Sequence, residues 1–331
     1  MDTRFSKIII TGGCGAIGSE VVNRLKSQYP GIQFVILDNL TYAGKKENIE
    51  PPYDNYKFVY GDICDAKFVS YLMNTEKPDG IIHLAAETHV DNSFGNSFQF
   101  TKTNVLGTHV LLECVRQYMS SGNTFHLFLH MSTDEVYGSV KDDQPACKED
   151  ALFFPSNPYS ATKAAAEMIC HAYMKSFKVP ILITRCNNAV SKYQNEEKLI
   201  PRCIHNILSG KKVPVHGDGM SKRTFIHAFD IADALDILMT LGDVDRVYNI
   251  GCDDSMEKTV LSVIEHILGV LKPSEKLEDW VEFVADRAFQ DYRYAVDTTD
   301  LKNLGWSLKR SFDYAVNDVI DHLFPKIVKR T

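Results

Sequence analysis

The sequence predicts an α/β fold: a doubly wound parallel sheet with a smaller, partly interleaved α+β domain. Three observations predict it. Short β-rich runs alternate with helix-length stretches through the first half of the chain; the runs are almost continuously apolar; and the alternation loosens after about residue 185. Apolar strands separated by helices imply a parallel sheet covered on both faces. In order, the runs are "KIIIT" (7–11), "QFVIL" (33–37), "YKFVY" (56–60), "DGIIHLA" (79–85), "FHLFLHM" (125–131) and "PILITR" (180–185). Helix-length stretches lie at 16–28, 64–75, 104–119 and 159–177. One strand–helix return follows at "TFIHAFDIADALDILM" (224–239), with a final strand at "VYNIG" (247–251). The tail, 253–331, mixes helices with charged loops. The expected division is a sheet domain over 1–185 with a return at about 224–252, and a second domain over 186–331.

Composition narrows the function classes. Of the 331 residues, 44% are apolar and 24% charged, the balance of a soluble globular protein. A net charge of −7 argues against a nucleic-acid or anionic-membrane surface. No apolar run approaches the ~18 residues of a membrane span, and "MDTRFSKIIIT" lacks a signal peptide's hydrophobic stretch. The eight cysteines are scattered, with no CxxC pair, so neither a metal site nor a disulfide framework is expected. Free thiols point to a reducing, cytoplasmic location.

The first strand runs into "TGGCGAIGS", in which Gly12, Gly15 and Gly18 stand between a strand and a helix. In that context glycines allow a tight turn, close backbone approach to a pyrophosphate, and close packing of helix on strand. The helix N-terminus offers free amides and a positive dipole end to phosphates. Asp38, at the end of the second strand, suits the ribose hydroxyls and disfavours a 2′-phosphate, so NAD is preferred to NADP. "GDICD" places Asp62 and Ile63 where an adenine would lie.

Tyr159 and Lys163, four residues apart in "NPYSATKAAAE", share one helix face. A free tyrosine has a pKa of about 10, and a nearby ammonium favours the phenolate. Such a phenolate beside NAD suits proton removal from a sugar hydroxyl. Thr133, at a strand end in "MSTDEVYG", is placed to bond the same oxygen, and Asp134 and Glu135 follow it.

Taken together, "TGGCGAIGS", "LDNLTYAG", "GDICD", "HLAAETHVDNSF", "TNVLGTHVLLE", "STDEVYG", "NPYSATKAAAE", "EKLIP" and "DYRYAVD" resemble, in order, the blocks of the nucleoside-diphosphate-glucose 4,6-dehydratases. These are extended short-chain dehydrogenase/reductases. The resemblance implies a Rossmann-type sheet, a nucleotide-sugar-binding second domain, and dehydration of dTDP- or UDP-glucose to the 4-keto-6-deoxy sugar. It implies Glu135 as the base at C5 and Asp134 as the acid at the C6 oxygen. It extends the cofactor set to Ala16, Ile17, Asn39, Thr41, Ala85 and Ala86. Glu87, Thr88, Asn188, Lys198, Arg223, Asn249 and Arg287 are expected around the substrate. Asn104 opens a predicted helix, as a sugar-side residue or a plain cap. A homodimer is implied too, with 104–119 and 159–177 pairing across a two-fold axis into a four-helix bundle.

Departures from the family accompany the resemblance. "NNAVSKYQ" has Val190, Ser191 and Lys192 where an aromatic–Gly–Pro turn is usual. A 4-epimerase of the same fold and a catalytically silent NAD-binding sensor are the alternatives. The Asp134–Glu135 pair argues against the first, and the presence of Tyr159, Lys163 and both acids argues against the second.

Overall fold

The apolar runs become strands because alternate residues find cover on opposite faces. Ile8 and Ile10 join one core while Ile9 joins the other; Phe34 and Ile36 part from Val35 and Leu37 in the same way. In the computed structural model, which describes residues 4–252, 254–286 and 289–325, twelve strands form among the described residues. They are β1 (Lys7–Thr11), β2 (Gln33–Asp38), β3 (Tyr56–Tyr60), β4 (Gly80–His83), β5 (Leu127–Thr133), β6 (Ile181–Cys186), β7 (Asn188–Val190), β8 (Val213–His216), β9 (Lys222–His227), β10 (Val247–Ile250), β11 (Glu257–Thr259) and β12 (Val281–Val284).

Seven of them make one sheet in the order β10-β6-β5-β4-β1-β2-β3, with every pairing parallel. This is the Rossmann-type doubly wound arrangement that the sequence predicts, and its order reverses between β1 and β4. A crevice at the carboxyl ends of strands flanking such a reversal is where ligands of this fold class sit. A three-stranded sheet, β11-β9-β7, and a parallel pair, β12-β8, build the smaller part.

The expected return to the main sheet at about 224–252 is corrected in one respect. β9 belongs to the small sheet, and only β10 pairs back, on β6. The intervening helix Ala228–Leu241 packs on helix Ala16–Gln28, so the two parts interleave through a helix and an edge strand. The helix expected over 104–119 also differs. Residues 101–107 form a π-helical stretch that runs into helix Thr108–Ser120. Asn104 is therefore interior to the helical run and caps nothing. Its amide instead bonds the backbone N–H and C=O of Glu87 and the Thr162 hydroxyl. Wide π turns recur where a helix is bent to serve a site.

Candidate active site

The glycine loop sits where only glycine fits. Gly12 has φ +68°, and a Cβ on it would lie 2.7 Å from the Ala85 backbone. A Cβ on Gly18 would lie 2.0 Å from the Gly12 carbonyl oxygen, so helix Ala16–Gln28 could not approach β1 with any other residue there. Asp38, at the end of β2, accepts from the backbone N–H of Cys14 and of Leu40 at 2.9 and 2.8 Å, which fixes the loop beside it. The loop, the helix N-terminus and Asp38 line a cavity of about 330 Å³. The open cradle, the free N-terminal amides and the carboxylate fit a dinucleotide.

Along the same cavity lie Ala16, Ile17, Asn39, Thr41, Ile63, Ala85, Ala86, Glu87 and Thr88, as expected from the sequence. Asp62 is the exception. Its carboxylate turns back to accept from Cys64 N–H at 2.9 Å, and it is absent from the cavity wall. Of that pair, Ile63 alone lines the cavity.

β5 delivers Thr133, Asp134 and Glu135 to the far end of the cavity. Helix Pro158–Phe177 delivers Tyr159 and Lys163, one turn apart and both buried. That helix starts sharply because Asn157 and Ser160 form a capping box with Pro158 at the first turn. Asn157 also reaches the acids, its amide donating to Glu135 Oε2 at 3.1 Å. Asp134 Oδ2 accepts from Asn187 at 2.7 Å and Oδ1 from the Thr133 hydroxyl at 3.1 Å. Burial, and then the Glu135 charge, push the Asp134 carboxyl up to about 7 against those two hydrogen bonds. Burial raises Glu135 as well, with Arg223 opposing. Two adjacent carboxyls thus sit in one low-dielectric site, the arrangement that keeps one of a pair protonated near neutral pH.

Lys163 and Tyr159 line the same cavity, but the lysine's hydrogen bond goes to the strand and not to the phenol. Lys163 Nζ donates to the Met131 carbonyl oxygen at 2.6 Å, and burial lowers it to about 8. Burial and the Glu135 charge raise the Tyr159 phenol well above its usual value, with a hydrogen bond to Thr133 opposing them. Those effects favour the neutral phenol. A phenolate there requires further positive charge.

A side cavity of about 160 Å³ continues from Glu135 and is lined by Thr88, Asn188, Lys198 and Arg223. Lys198 Nζ donates to the Thr88 carbonyl and hydroxyl, and the Oδ1 of Asn188 is buried without a partner, an acceptor open to a ligand. Arg223 stacks 4.7 Å over the Tyr294 ring. Asn249 does not reach either cavity. Its amide is consumed by the Tyr137 hydroxyl and by the carbonyls of Cys147 and Asp297, so it ties β10 into the core rather than binding substrate. Arg287 lies outside the described residues.

Sequence reasoning missed Asn157 and Asn187, which hold the two acids, and the strap after β7. In that strap Tyr193, Gln194, Asn195 and Glu197 line the main cavity. Tyr193 and Lys192 bond Glu50, Asn195 bonds the Tyr42 carbonyl, and the Tyr42 hydroxyl donates to Glu197 at 2.8 Å.

The sequence profile described as GDP-mannose 4,6 dehydratase matches residues 9–319. The chain is 42% identical over 317 residues to a trifunctional UDP-glucose 4,6-dehydratase/UDP-4-keto-6-deoxy-D-glucose 3,5-epimerase/UDP-4-keto-L-rhamnose-reductase of Arabidopsis thaliana. That match covers 95% of this chain and 46% of the relative, so the chain spans about half of that protein's length. It is 36% identical to the dTDP-D-glucose 4,6-dehydratase of Mus musculus, over 95% of this chain and 88% of that one. Among solved structures, a dTDP-glucose 4,6-dehydratase from Streptomyces venezuelae with NAD bound superposes with a TM-score of 0.86 at 34% identity, covering 95% of both chains. A UDP-glucose 4-epimerase from Thermotoga maritima gives the same TM-score at 25% identity, covering 97% and 99%. The backbone alone does not separate the two activities. On its sequence and its fold, the chain belongs to the GDP-mannose 4,6-dehydratase family.

Proposed function

We propose that the protein is an NAD-dependent nucleoside-diphosphate-glucose 4,6-dehydratase, a hydro-lyase acting on dTDP- or UDP-glucose. The observation that carries this reading is the buried Asp134–Glu135 pair, both carboxyls raised, beside Tyr159 and Thr133 in a dinucleotide cavity. An epimerase needs no acid and base at C5 and C6. Relatives that carry dehydratase names support the same choice.

The glycine loop and the N-terminus of helix Ala16–Gln28 would hold the pyrophosphate of NAD, and Asp38 would bind its adenosine ribose. Bound NAD supplies a positive ring, a hydride acceptor at C4 of the sugar and the hydride donor at C6. Tyr159 takes the C4 hydroxyl proton, with Thr133 bonding the same oxygen and Lys163 adding its charge. The C4 ketone acidifies C5–H, which Glu135 removes. Asp134 enters the cycle protonated and gives its proton to the C6 oxygen, which departs as water. Glu135 then returns its proton to C5 as hydride reaches C6. The proton gained by Tyr159 balances the one lost by Asp134 over a turnover. Thr88, Asn188, Lys198 and Arg223 hold the sugar and diphosphate in the side cavity.

Two further assignments belong to this reading. Exposed Leu106 and Met168, on the helical run that ends at Ser120 and on helix Pro158–Phe177, suit a homodimer through a four-helix bundle. The eight cysteines, none of them in a disulfide, suit the cytoplasm. Among the described residues no helix is long and apolar enough to cross a membrane.

The test is an assay of dTDP-glucose and UDP-glucose separately, following the 4-keto-6-deoxy product. The wild-type protein should convert at least one of them. The Asp134→Asn, Glu135→Gln double variant should oxidise C4 and then stall, with NADH accumulating on the protein. A double variant that forms product at the wild-type rate would sink the assignment of the two acids.

A further inference from the structure

Glu135 is held through one oxygen. Its Oε2 accepts from Asn157 and lies 3.4 Å from the phenol oxygen of Tyr294. The same phenol oxygen is 2.6 Å from Asp291 Oδ2, to which Ser156 also donates. Tyr294 and Asp291 are 2% and 3% exposed, and both border the side cavity together with Glu135. They stand in "DYRYAVD" (291–297).

A phenol carries one proton. The 2.6 Å separation is that of a short O–H···O bond, whereas 3.4 Å exceeds the ordinary range. The proton therefore lies towards Asp291, and Tyr294 presents a lone pair to Glu135. An ionised Glu135 is repelled by that lone pair and by the Asp291 charge behind it. A protonated Glu135 relieves the repulsion and, from Oε2, can donate to the phenol.

We propose that Asp291, acting through Tyr294, is a positioning residue for the C5 base. It turns the phenol into an acceptor, so that Glu135 holds the C5 proton until that proton goes back. The inference rests on the dehydratase reading. No proton travels along the chain of three. The C5–H bond breaks to Glu135, its electron pair forms the C5–C6 double bond, and the C6–O bond breaks as Asp134 protonates the departing water. C5–H re-forms from Glu135 when hydride adds at C6. The other charged or titratable groups facing Glu135 are Asp134, Tyr159, Lys198 and Arg223. The two cations favour the ionised form, against Asp134 and Asp291.

Asp291→Asn tests this, because an amide can donate to the phenol and turn its proton towards Glu135, favouring the carboxylate. With nucleotide-sugar substrate, kcat should fall about tenfold or more while KM stays within about twofold. The acid limb of the kcat–pH profile should move down by about one unit, since a weaker proton acceptor stays ionised to lower pH. NADH should still appear in a single turnover, slowed less than kcat, because Glu135 touches C4 oxidation only through its charge on Tyr159. Tyr294→Phe keeps the ring over Arg223 and removes the lone pair; it should lower kcat in the same direction, and it decides the matter if Asp291→Asn does not fold. An unmoved kcat and acid limb in the folded variant, or a loss confined to KM or to NADH appearance, overturns the proposal. A wild-type protein that dehydrates neither nucleotide sugar overturns the dehydratase reading instead, so the two failures are distinct.

Discussion

Asp134 shows how a single residue trades stability for chemistry. Its carboxyl is raised from 3.8 to about 7 by burial and by Glu135. Between those two values the native state binds more protons than the unfolded chain, so this residue makes stability fall as pH rises through that window. Above about 7 the loss is complete and the slope flattens. Asp134→Asn removes the cost while still accepting from Thr133 through its amide oxygen. The variant should therefore melt several degrees higher than wild type at pH 8, by on the order of 2–4 kcal/mol, with the difference closing near pH 4. Melting curves at pH 8 and pH 4 check it; an Asn variant that is less stable at pH 8 would mean that the Asn187 contact outweighs the buried charge. At this scale the site was legible where chemistry is local in sequence. Thr133, Asp134 and Glu135 are consecutive, and Tyr159 and Lys163 are one helical turn apart. Asn187, Asp291 and Tyr294 reach the same spot from 53 to 159 positions away, and no spacing rule connects them. Asn249 failed for the converse reason. An asparagine near a strand end reads the same whether its amide faces a ligand or, as here, Tyr137 and two carbonyls.

At the level of elements, strand periodicity gave the sheet because burial on both faces leaves a nearly unbroken apolar run. The strap between β7 and helix Leu199–Leu208 carries no such pattern, so its course was hidden. Its residues bond to Glu50, Tyr42 and the Ala16 carbonyl, all on the bank that holds the glycine loop. Held by these bonds, the strap lines the cavity with Tyr193, Gln194, Asn195 and Glu197. Lys192–Glu50 is a partly exposed pair, so each such contact is worth about 0.2–1 kcal/mol after solvent screening. Removing both with Lys192→Ala and Tyr193→Phe should weaken cofactor retention by roughly twofold to tenfold. kcat under saturating NAD should change little, since neither residue is near Asp134. Desalting followed by measurement of retained cofactor reads this directly. Undiminished retention would reduce the strap to a surface decoration.

On the scale of the whole molecule, the site and an unpaired apolar face share one helix. Helix Pro158–Phe177 points Tyr159, Lys163, Cys170 and Met174 inwards, while Ala161, Met168 and Ala172 line its exposed side. The neighbouring helical run does the same: Leu111, Leu112 and Val115 pack on the sheet, and Leu106 is 47% exposed beside half-buried Val110. Two adjacent helices with apolar outer faces leave surface that a monomer would expose to water, and a second copy related by a two-fold axis would cover both at once. Pairing two such hairpins would make the four-helix bundle that the family resemblance implies. Because Asn104 lies two residues from Leu106 and holds the Glu87 backbone, the interface would brace the cavity wall as well as join the copies. Leu106→Glu with Met168→Glu places like charges on those faces and should give a monomer by light scattering at micromolar concentration, where wild type should give a dimer. The same variant should melt lower than wild type, and its melting point should no longer rise with protein concentration. A wild-type monomer would remove the interface outright. A double variant that remains dimeric would move it elsewhere on the surface, with Phe98, at 87% exposure, the next position to change.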